Sequence, residues 1–287
     1  MVALTQARLR EYWLLLRLDK PIGILLLMWP TLWGLWMAAE GPPSGYVLFA
    51  FVVGVVLMRS AGCAINDYAD RDFDRHVERT QHRPLTAGRI TPREAVVLAA
   101  VLSLVALLIT LPLGWATIAM SVPAAFLAGS YPFTKRFFPM PQAYLGLAFS
   151  FGIPMAFVAI QGAVPAQAWW VLLANLFWTI AYDTEYAMVD KPDDLKIGIK
   201  TSAITFGRFD VLGVMVCYSL FLGIWAMVAF SLGFKPVFWL AWCVALGLVG
   251  YHYTLIRNRE RALCFKAFLH NNWVGAALFA GLLLNYC

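Results

Sequence analysis

Long apolar runs alternate along the chain with short, charged connections. Nine runs approach the length of about 20 residues that a helix needs to cross hydrocarbon. They are Ile22 to Ala39, Tyr46 to Ile65, Ala95 to Leu111, Trp115 to Phe133, Ala143 to Ile160, Ala166 to Tyr182, Val211 to Phe230, Val237 to Ile256, and Phe268 to Tyr286. The breakers between them are Gly41-Pro42-Pro43, Pro112-Leu113-Gly114, Pro139-Met140-Pro141 and the stretch from Gly162 to Pro165. Thr91-Pro92-Arg93-Glu94 predicts a capping box with proline at the first helical position, opening the third span. Pro30, Pro123 and Pro154 fall inside runs and predict kinks that open space between helices. The expected fold class is an all-α integral membrane protein with nine transmembrane helices.

Composition agrees with this pattern. Of 287 residues, 61% are hydrophobic and only 13% charged, and the mean hydropathy is +0.71, whereas soluble chains carry about 25% charged residues. Nine spans and their connections use up the length, so residues 1–287 are expected to form a single membrane domain without a second soluble one. The first 21 residues have no signal-peptide cleavage pattern and are too short for a transit peptide, which makes a bacterial inner membrane the expected location. The five cysteines (Cys63, Cys217, Cys243, Cys264, Cys287) form no CxxC pair and read as free, buried thiols.

The charges are distributed unevenly. On the nine-span map, 20 of the 22 basic residues fall on one side; Lys235 lies opposite, and Arg59 sits inside the second span. The positive-inside rule makes that side cytoplasmic, with the amino terminus inside and the carboxyl terminus in the periplasm. The net charge of +6 is the remainder of bases and acids crowded on one face, and it calls for no nucleic-acid partner. No obligate protein partner is evident either. Arg59 and Asn175, polar groups within spans, are expected to face the bundle interior.

Ten of the 16 acidic residues fall into two groups. The first, Asn66-Asp67-Tyr68-Ala69-Asp70-Arg71-Asp72-Phe73-Asp74 with Glu78, follows the second span; the second, Asp183 to Asp194, follows the sixth. Their separation by four spans suggests a repeated four-helix unit, residues 12–136 and 137–256, plus a ninth helix over 268–286. If the second span continues as a helix, Asn66, Asp70 and Asp74 share a face, and Asp67 joins them. Stacked like charges repel, and a hard divalent cation relieves that repulsion: magnesium takes one or two carboxylates together with substrate phosphate. In the second group Asp183, Asp190 and Asp194 share a face only on an unbroken helix. Pro192 disfavours helical geometry at Lys191, which leaves open a reading of Asp190 as the N-cap of a new helix. A solvated, salt-bridged loop is the corresponding alternative for the first group. A diphosphate at such a site would need more cations, and Arg83, Lys135, Arg136 and Lys200 lie in short loops on the same face.

The stretch from Asn66 through Asp70 to Asp74, followed by Arg83-Pro84-Leu85, resembles the first aspartate motif of the UbiA superfamily of intramembrane prenyltransferases. The stretch from Tyr182 and Asp183 through Tyr186-Ala187-Met188-Val189-Asp190 to Asp194, followed by Lys196-Ile197-Gly198-Ile199-Lys200, is similar to the second motif in the form found in 4-hydroxybenzoate polyprenyltransferases. Arg17-Leu18-Asp19-Lys20-Pro21-Ile22-Gly23 and Tyr131-Pro132-Phe133-Thr134-Lys135-Arg136 extend the likeness over nearly the whole chain. One departure is Thr201 directly after Lys200, with Ser202 only then following.

The resemblance implies nine helices around a central cavity capped by cytoplasmic loops. It implies Asp67, Asp70, Asp74, Asp190 and Asp194 as ligands of Mg2+, with Arg136 required for activity. Asn66, Arg83, Lys135, Asp183 and Lys200 become substrate contacts. The implied reaction moves a polyprenyl group from polyprenyl diphosphate, its tail in membrane lipid, to the ring carbon of 4-hydroxybenzoate ortho to the hydroxyl, in ubiquinone biosynthesis. Another quinone precursor or haem as acceptor is the alternative within the superfamily. A transporter is the alternative outside it, although transport sites favour charge near the bilayer midplane. Trp29, Trp33 and Trp36 share one face of the first span, where rings can shield a cation or simply pack. His76, His82, His252 and His270 show no ligand spacing.

Overall fold

The computed structural model describes residues 2–76 and 80–287, with the side chains of 2–5 and 76 left aside; Glu78 and Arg79 lie outside the described residues. Twelve α-helices follow one another: α1 (Val2–Leu15), α2 (Ile22–Ala39), α3 (Gly45–Asp70), α4 (Pro92–Thr110), α5 (Trp115–Thr134), α6 (Pro141–Ser150), α7 (Gly152–Gln161), α8 (Ala166–Ile197), α9 (Ser202–Phe206), α10 (Asp210–Ser231), α11 (Pro236–Ile256) and α12 (Arg261–Tyr286). No strand occurs among the described residues. Among the described residues, eight segments are long and apolar enough to cross a membrane. The remaining expected span, Ala166 to Tyr182, is the first half of α8, whose Gln167 and Asn175 make it more polar.

Local chemistry sets the boundaries. The capping box at α4 forms as predicted: the Thr91 hydroxyl accepts from the Glu94 N–H, and the Glu94 carboxylate accepts from the Thr91 N–H at 2.8 Å. The same carboxylate takes Arg8 and the Tyr12 hydroxyl, which fastens α1 to the head of α4. The fifth expected span is not continuous. Pro154 has no N–H to offer the Ser150 carbonyl, so the helix breaks at Phe151 into α6 and α7. The Asn175 amide of α8 donates to the Ser150 hydroxyl at 2.9 Å just beside the break.

The second difference is α8. It runs unbroken past Tyr182 and through Pro192 to Ile197, ending at Gly198 in the left-handed region. Asp190 is therefore interior to a helix and caps nothing. Proline here removes one backbone bond near the helix end, where α8 is packed on α10 and α12 and held by Lys191, whose ammonium donates to the Gly207 carbonyl and the buried Asp210 carboxylate.

The main core gathers α2, α7, α8, α10, α11 and α12. Trp33 is fully buried and meets Trp178 and Trp225 at centroid distances of 5.2 and 5.3 Å. Trp29 donates to Asn272, and Trp36 packs edge-on to Phe279. The tryptophan stripe is thus a packing face, away from the cavity described below. Close approach of α2 to α7 requires Gly34: a Cβ there would come within 2.9 Å of the Ile153 Cα. By contrast, α4 and α5 are peripheral and barely touch each other. Three of the five cysteines are buried, and Cys243 and Cys287 are exposed, contrary to the expectation for those two.

Replacing Gly34 with valine is expected to destabilise the bundle by about 1 to 3 kcal/mol, the usual range for overpacking against an unyielding backbone. Gly223→Ala, where an added Cβ meets nothing within 4 Å, serves as the control. Apparent melting temperatures of the two variants in detergent check this; equal values would show that the α2–α7 contact does not limit stability.

Candidate active site

The two aspartate groups come to one cavity. Its volume is about 960 Å³, and its lining includes Asn66, Asp70 and Asp74 from the α3 side and Asp183, Asp190 and Asp194 from α8. Arg83 and Lys135 line it as well. Its other walls are apolar, built from residues such as Val55, Leu104, Leu107, Val122 and Met155 on α3, α4, α5 and α7. The break at Phe151 opens this wall, since Phe151 and Gly152 are both part of it. The cavity thus has a charged mouth and a greasy interior.

Asp67, Asp70 and Asp74 of the first group are buried and each has a cation, whereas Asp72 is exposed. Lys135 Nζ donates to Asp70 Oδ2 at 2.7 Å and to Asn66 Oδ1 at 3.2 Å. Arg83 donates to Asp74 Oδ2 at 2.6 Å and to Asp67 Oδ1 at 3.0 Å. Arg17 adds a second bond to Asp67 Oδ1 at 2.7 Å. Burial pushes the Asp74 carboxyl above its usual range, with Arg83 pulling the other way and the neighbouring carboxylates Asp67 and Asp70 adding to the rise. Burial disfavours the Lys135 ammonium, but Asp70 more than offsets this and holds its pKa above that of an ordinary lysine. The site is a stack of desolvated acids with cations beside them.

The remaining residues fall outside the cavity lining. Asp67, expected as a metal ligand, is completely buried behind the cavity in its pairs with Arg17 and Arg83, with Oδ2 left without a hydrogen-bond partner. Arg136 donates to the Ala69 carbonyl at 3.0 Å, at the C-terminal end of α3, and stands by the rings of Phe73 and Phe133. It thereby braces the helix end that carries the first group, where a cation also complements the helix dipole. Lys200 donates to the Phe137 carbonyl through Nζ and to the Lys135 carbonyl through its backbone N–H, so it joins two loops instead of entering the cavity.

Among the described residues, no three Asp, Glu, His or Cys side chains converge as a preformed metal cage. The donor set nevertheless fits magnesium. Hard carboxylate oxygens stand on both sides of one cavity, and magnesium prefers a few carboxylates completed by water and phosphate to an all-protein cage.

Two lining residues, Arg59 and Gln142, carried no motif, and a third, Tyr131, stood in a motif stretch without a role. Arg59 stands in the apolar wall, its Nε buried without a partner, while Nη1 donates to the Cys63 sulfur at 3.1 Å and the guanidinium lies 5.7 Å from the Phe149 ring centroid. Gly23 makes room for it, since a Cβ there would lie 2.5 Å from Arg59 Nη2. A lone arginine within an apolar run marked it as facing the bundle interior, without assigning it a role. Gln142 accepts from the Ser202 N–H at 2.8 Å and hydrogen-bonds the Asp183 carboxylate, binding the loop after α8 to the head of α6. Tyr131 lies 5.4 Å from Lys135 Nζ by its ring centroid.

Comparison with known proteins agrees with this arrangement. Residues 27–275 match the model of the UbiA prenyltransferase family. A protein of Paraburkholderia phytofirmans named 4-hydroxybenzoate octaprenyltransferase is 64% identical over 280 residues, 98% of each chain. One of the same name from Nitrosospira multiformis is 64% identical over 99% of this chain and 98% of its own. Among solved structures, a UbiA homolog from Aeropyrum pernix superposes with a TM-score of 0.81 at 22% identity, covering 92% of this chain and 98% of that one. A UbiA homolog from Archaeoglobus fulgidus, bound to GPP and Mg2+, gives 0.72 at 17% identity over 95% and 99% of the two chains. With a family match over most of its length and near-identical extent to these relatives, the chain belongs to the UbiA prenyltransferase family.

Proposed function

We propose that this membrane protein transfers a polyprenyl group from polyprenyl diphosphate to 4-hydroxybenzoate, in ubiquinone biosynthesis. The observation that carries the reading is the single cavity with carboxylates from α3 and α8 at its mouth and aliphatic walls behind them. It suits a donor with an anionic head and a long apolar tail. The full-length relatives named 4-hydroxybenzoate octaprenyltransferase supply the acceptor and make the octaprenyl group the donor to test first.

In this reading Asp70 and Asp74 on one side and Asp190 and Asp194 on the other would hold magnesium, which when bound would supply positive charge to the diphosphate leaving group. Arg83 and Lys135, lining the same mouth, turn from their aspartates to the diphosphate oxygens, and Arg136 acts by bracing the end of α3. The allylic carbon bonds to the ring carbon ortho to the acceptor's hydroxyl, the diphosphate departs with the bonding electrons, and the ring loses its proton. Tyr131, Phe149, Tyr186 and Phe268 give the cavity aromatic faces that stabilise a developing cation and keep water from quenching it. Arg59 grips the acceptor's carboxylate: it is a cation in an apolar wall with an unmade hydrogen bond. The first half of α8 serves as a ninth span, and the charge asymmetry orients the amino terminus to the cytoplasm and the carboxyl terminus to the periplasm.

Membranes containing the chain, supplied with magnesium, octaprenyl diphosphate and labelled 4-hydroxybenzoate, are expected to yield a lipid-soluble labelled product. Absence of that product would refute the substrate assignment. Asp70→Asn and Asp190→Asn are each expected to lower turnover by about 100-fold or more, and full activity in either would remove that residue from the metal site. Arg59→Ala should raise KM for 4-hydroxybenzoate by about 10- to 100-fold, the range for losing a hydrogen bond to a charged group, while KM for the diphosphate stays close to its original value. An unchanged KM for the acceptor would place the carboxylate elsewhere.

A further inference from the structure

Helix α8 has two chemically distinct faces. Asp183, Tyr186, Asp190 and Asp194 line the cavity, while Glu185 points the other way and is completely buried between α10 and α12. The reaction as read above makes no use of this carboxyl group, yet it sits in a network that leaves its protonation little freedom.

The network can be solved from its ends. Trp178 Nε1 is a donor only, and it reaches Asn271 Oδ1 at 2.8 Å; the Ala267 carbonyl is an acceptor only, and it receives Asn271 Nδ2 at 3.1 Å. These two contacts fix which way the Asn271 amide points. Nδ2 then also donates to Glu185 Oε2 at 2.8 Å. Asn271 Oδ1 lies 2.9 Å from the Tyr218 hydroxyl, and because an amide oxygen cannot donate, Tyr218 must spend its one proton there. The same hydroxyl is 3.0 Å from Glu185 Oε1 and 3.0 Å from His252 Nδ1, so both of those atoms must bring protons of their own. His252 Nε2 in turn faces His270 Nδ1 at 3.0 Å and accepts from it. Every contact is satisfied when the cluster is neutral. An ionised Glu185 leaves two oxygens facing each other without a proton at Tyr218, whichever way the hydroxyl turns.

We propose that Glu185 is a neutral carboxylic acid whose O–H donates to Tyr218, and that this bond fixes the rotation of α8 and so positions the aspartates on its opposite face. A single acid thereby ties α8 to Tyr218 of α10 and Asn271 of α12, and through Tyr218 to His252 of α11. A carboxylate at this place would accept only, and its charge could be met only by a protonated His252, whose Nδ1 lies 3.6 Å from Glu185 Oε1; even then one oxygen contact of Tyr218 stays without a proton. The acid needs no counter-ion, which suits a place deep among helices. The claim about α8 rests on the reading of Asp190 and Asp194 as magnesium ligands, whereas the claim about the proton stands apart from it.

Infrared spectroscopy of the full-length protein in lipid nanodiscs tests the proton directly. The wild type is expected to show the carbonyl stretch of a hydrogen-bonded carboxylic acid, shifted by D2O exchange and missing from Glu185→Gln. Absence of the band in the wild type, or its survival in Glu185→Gln, would overturn the assignment whatever reaction the chain performs. Glutamine can donate to Tyr218 and accept from Asn271 as the acid does, so Glu185→Gln should keep kcat within about threefold of wild type. Glu185→Ala and Tyr218→Phe should lower kcat about tenfold or more and raise the magnesium concentration for half-maximal rate, with KM for 4-hydroxybenzoate changing less than about twofold. A loss in Glu185→Gln equal to that in Glu185→Ala, or a fall in kcat with unaltered magnesium dependence, would overturn the positioning role.

Discussion

Charge cannot be taken out of water without a partner, and that constraint organises this molecule. Asp67, Asp70 and Asp74 sit where α3 leaves the apolar region, too buried to be hydrated freely. Each is matched locally: Asp70 by Lys135, Asp74 by Arg83, Asp67 by Arg17 and Arg83. These pairs join α3 to the loops before α2, before α4 and after α5, so electrostatic compensation also fixes where those loops lie. On the far side of the bundle the same constraint is met differently, with Asp210 held by Lys191 and Arg259 and Glu185 held by neutral donors and acceptors. Ionic pairing dominates near the helix ends and neutral hydrogen bonding dominates among the buried helices, as the falling availability of water requires.

The spans and the two acidic groups were legible in the sequence because both depend on simple local quantities. A stretch of apolar residues is long enough to cross hydrocarbon or it is not, and the capping box at Thr91 and Glu94 is written in adjacent residues. Tertiary context governed the rest. Pro192 reads as a breaker, yet α8 continues through it because Lys191 and the packing against α10 and α12 hold the turn in place. Pro154 reads as a kink and turns out to divide a span, since it has no N–H to offer the Ser150 carbonyl. The tryptophan stripe was readable as a face, but whether that face met the cavity or the core depended on its partners Trp178 and Trp225, far away in sequence.

Part of the site was likewise legible. Asn66, Asp70, Asp183, Asp190 and Asp194 share a helical spacing that periodicity can detect; α3 ends at Asp70, so Asp74 reaches the cavity from a short turn beyond it, and all six line the cavity. Asp67 shares that spacing but is turned inward by Arg17, a partner fifty positions earlier that no helical period connects to it. Arg136, read as required for activity, and Lys200, read as a substrate contact, lie outside the cavity lining and donate to backbone carbonyls. Arg59 and Gln142 belong to no pattern; each is a single polar residue whose meaning comes from the wall it interrupts.

The apolar walls contributed by α4 and α5 are thin. These two helices turn most of their surface outward and barely touch each other, so little protein separates the greasy end of the cavity from the surrounding lipid. The proposed donor, with its long hydrocarbon tail, would dissolve in that lipid and be delivered from it. The concentration that governs saturation is therefore a mole fraction within the bilayer, not an amount per volume of buffer. Diluting the same quantity of donor with additional lipid would slow the reaction even though nothing in the aqueous phase had changed.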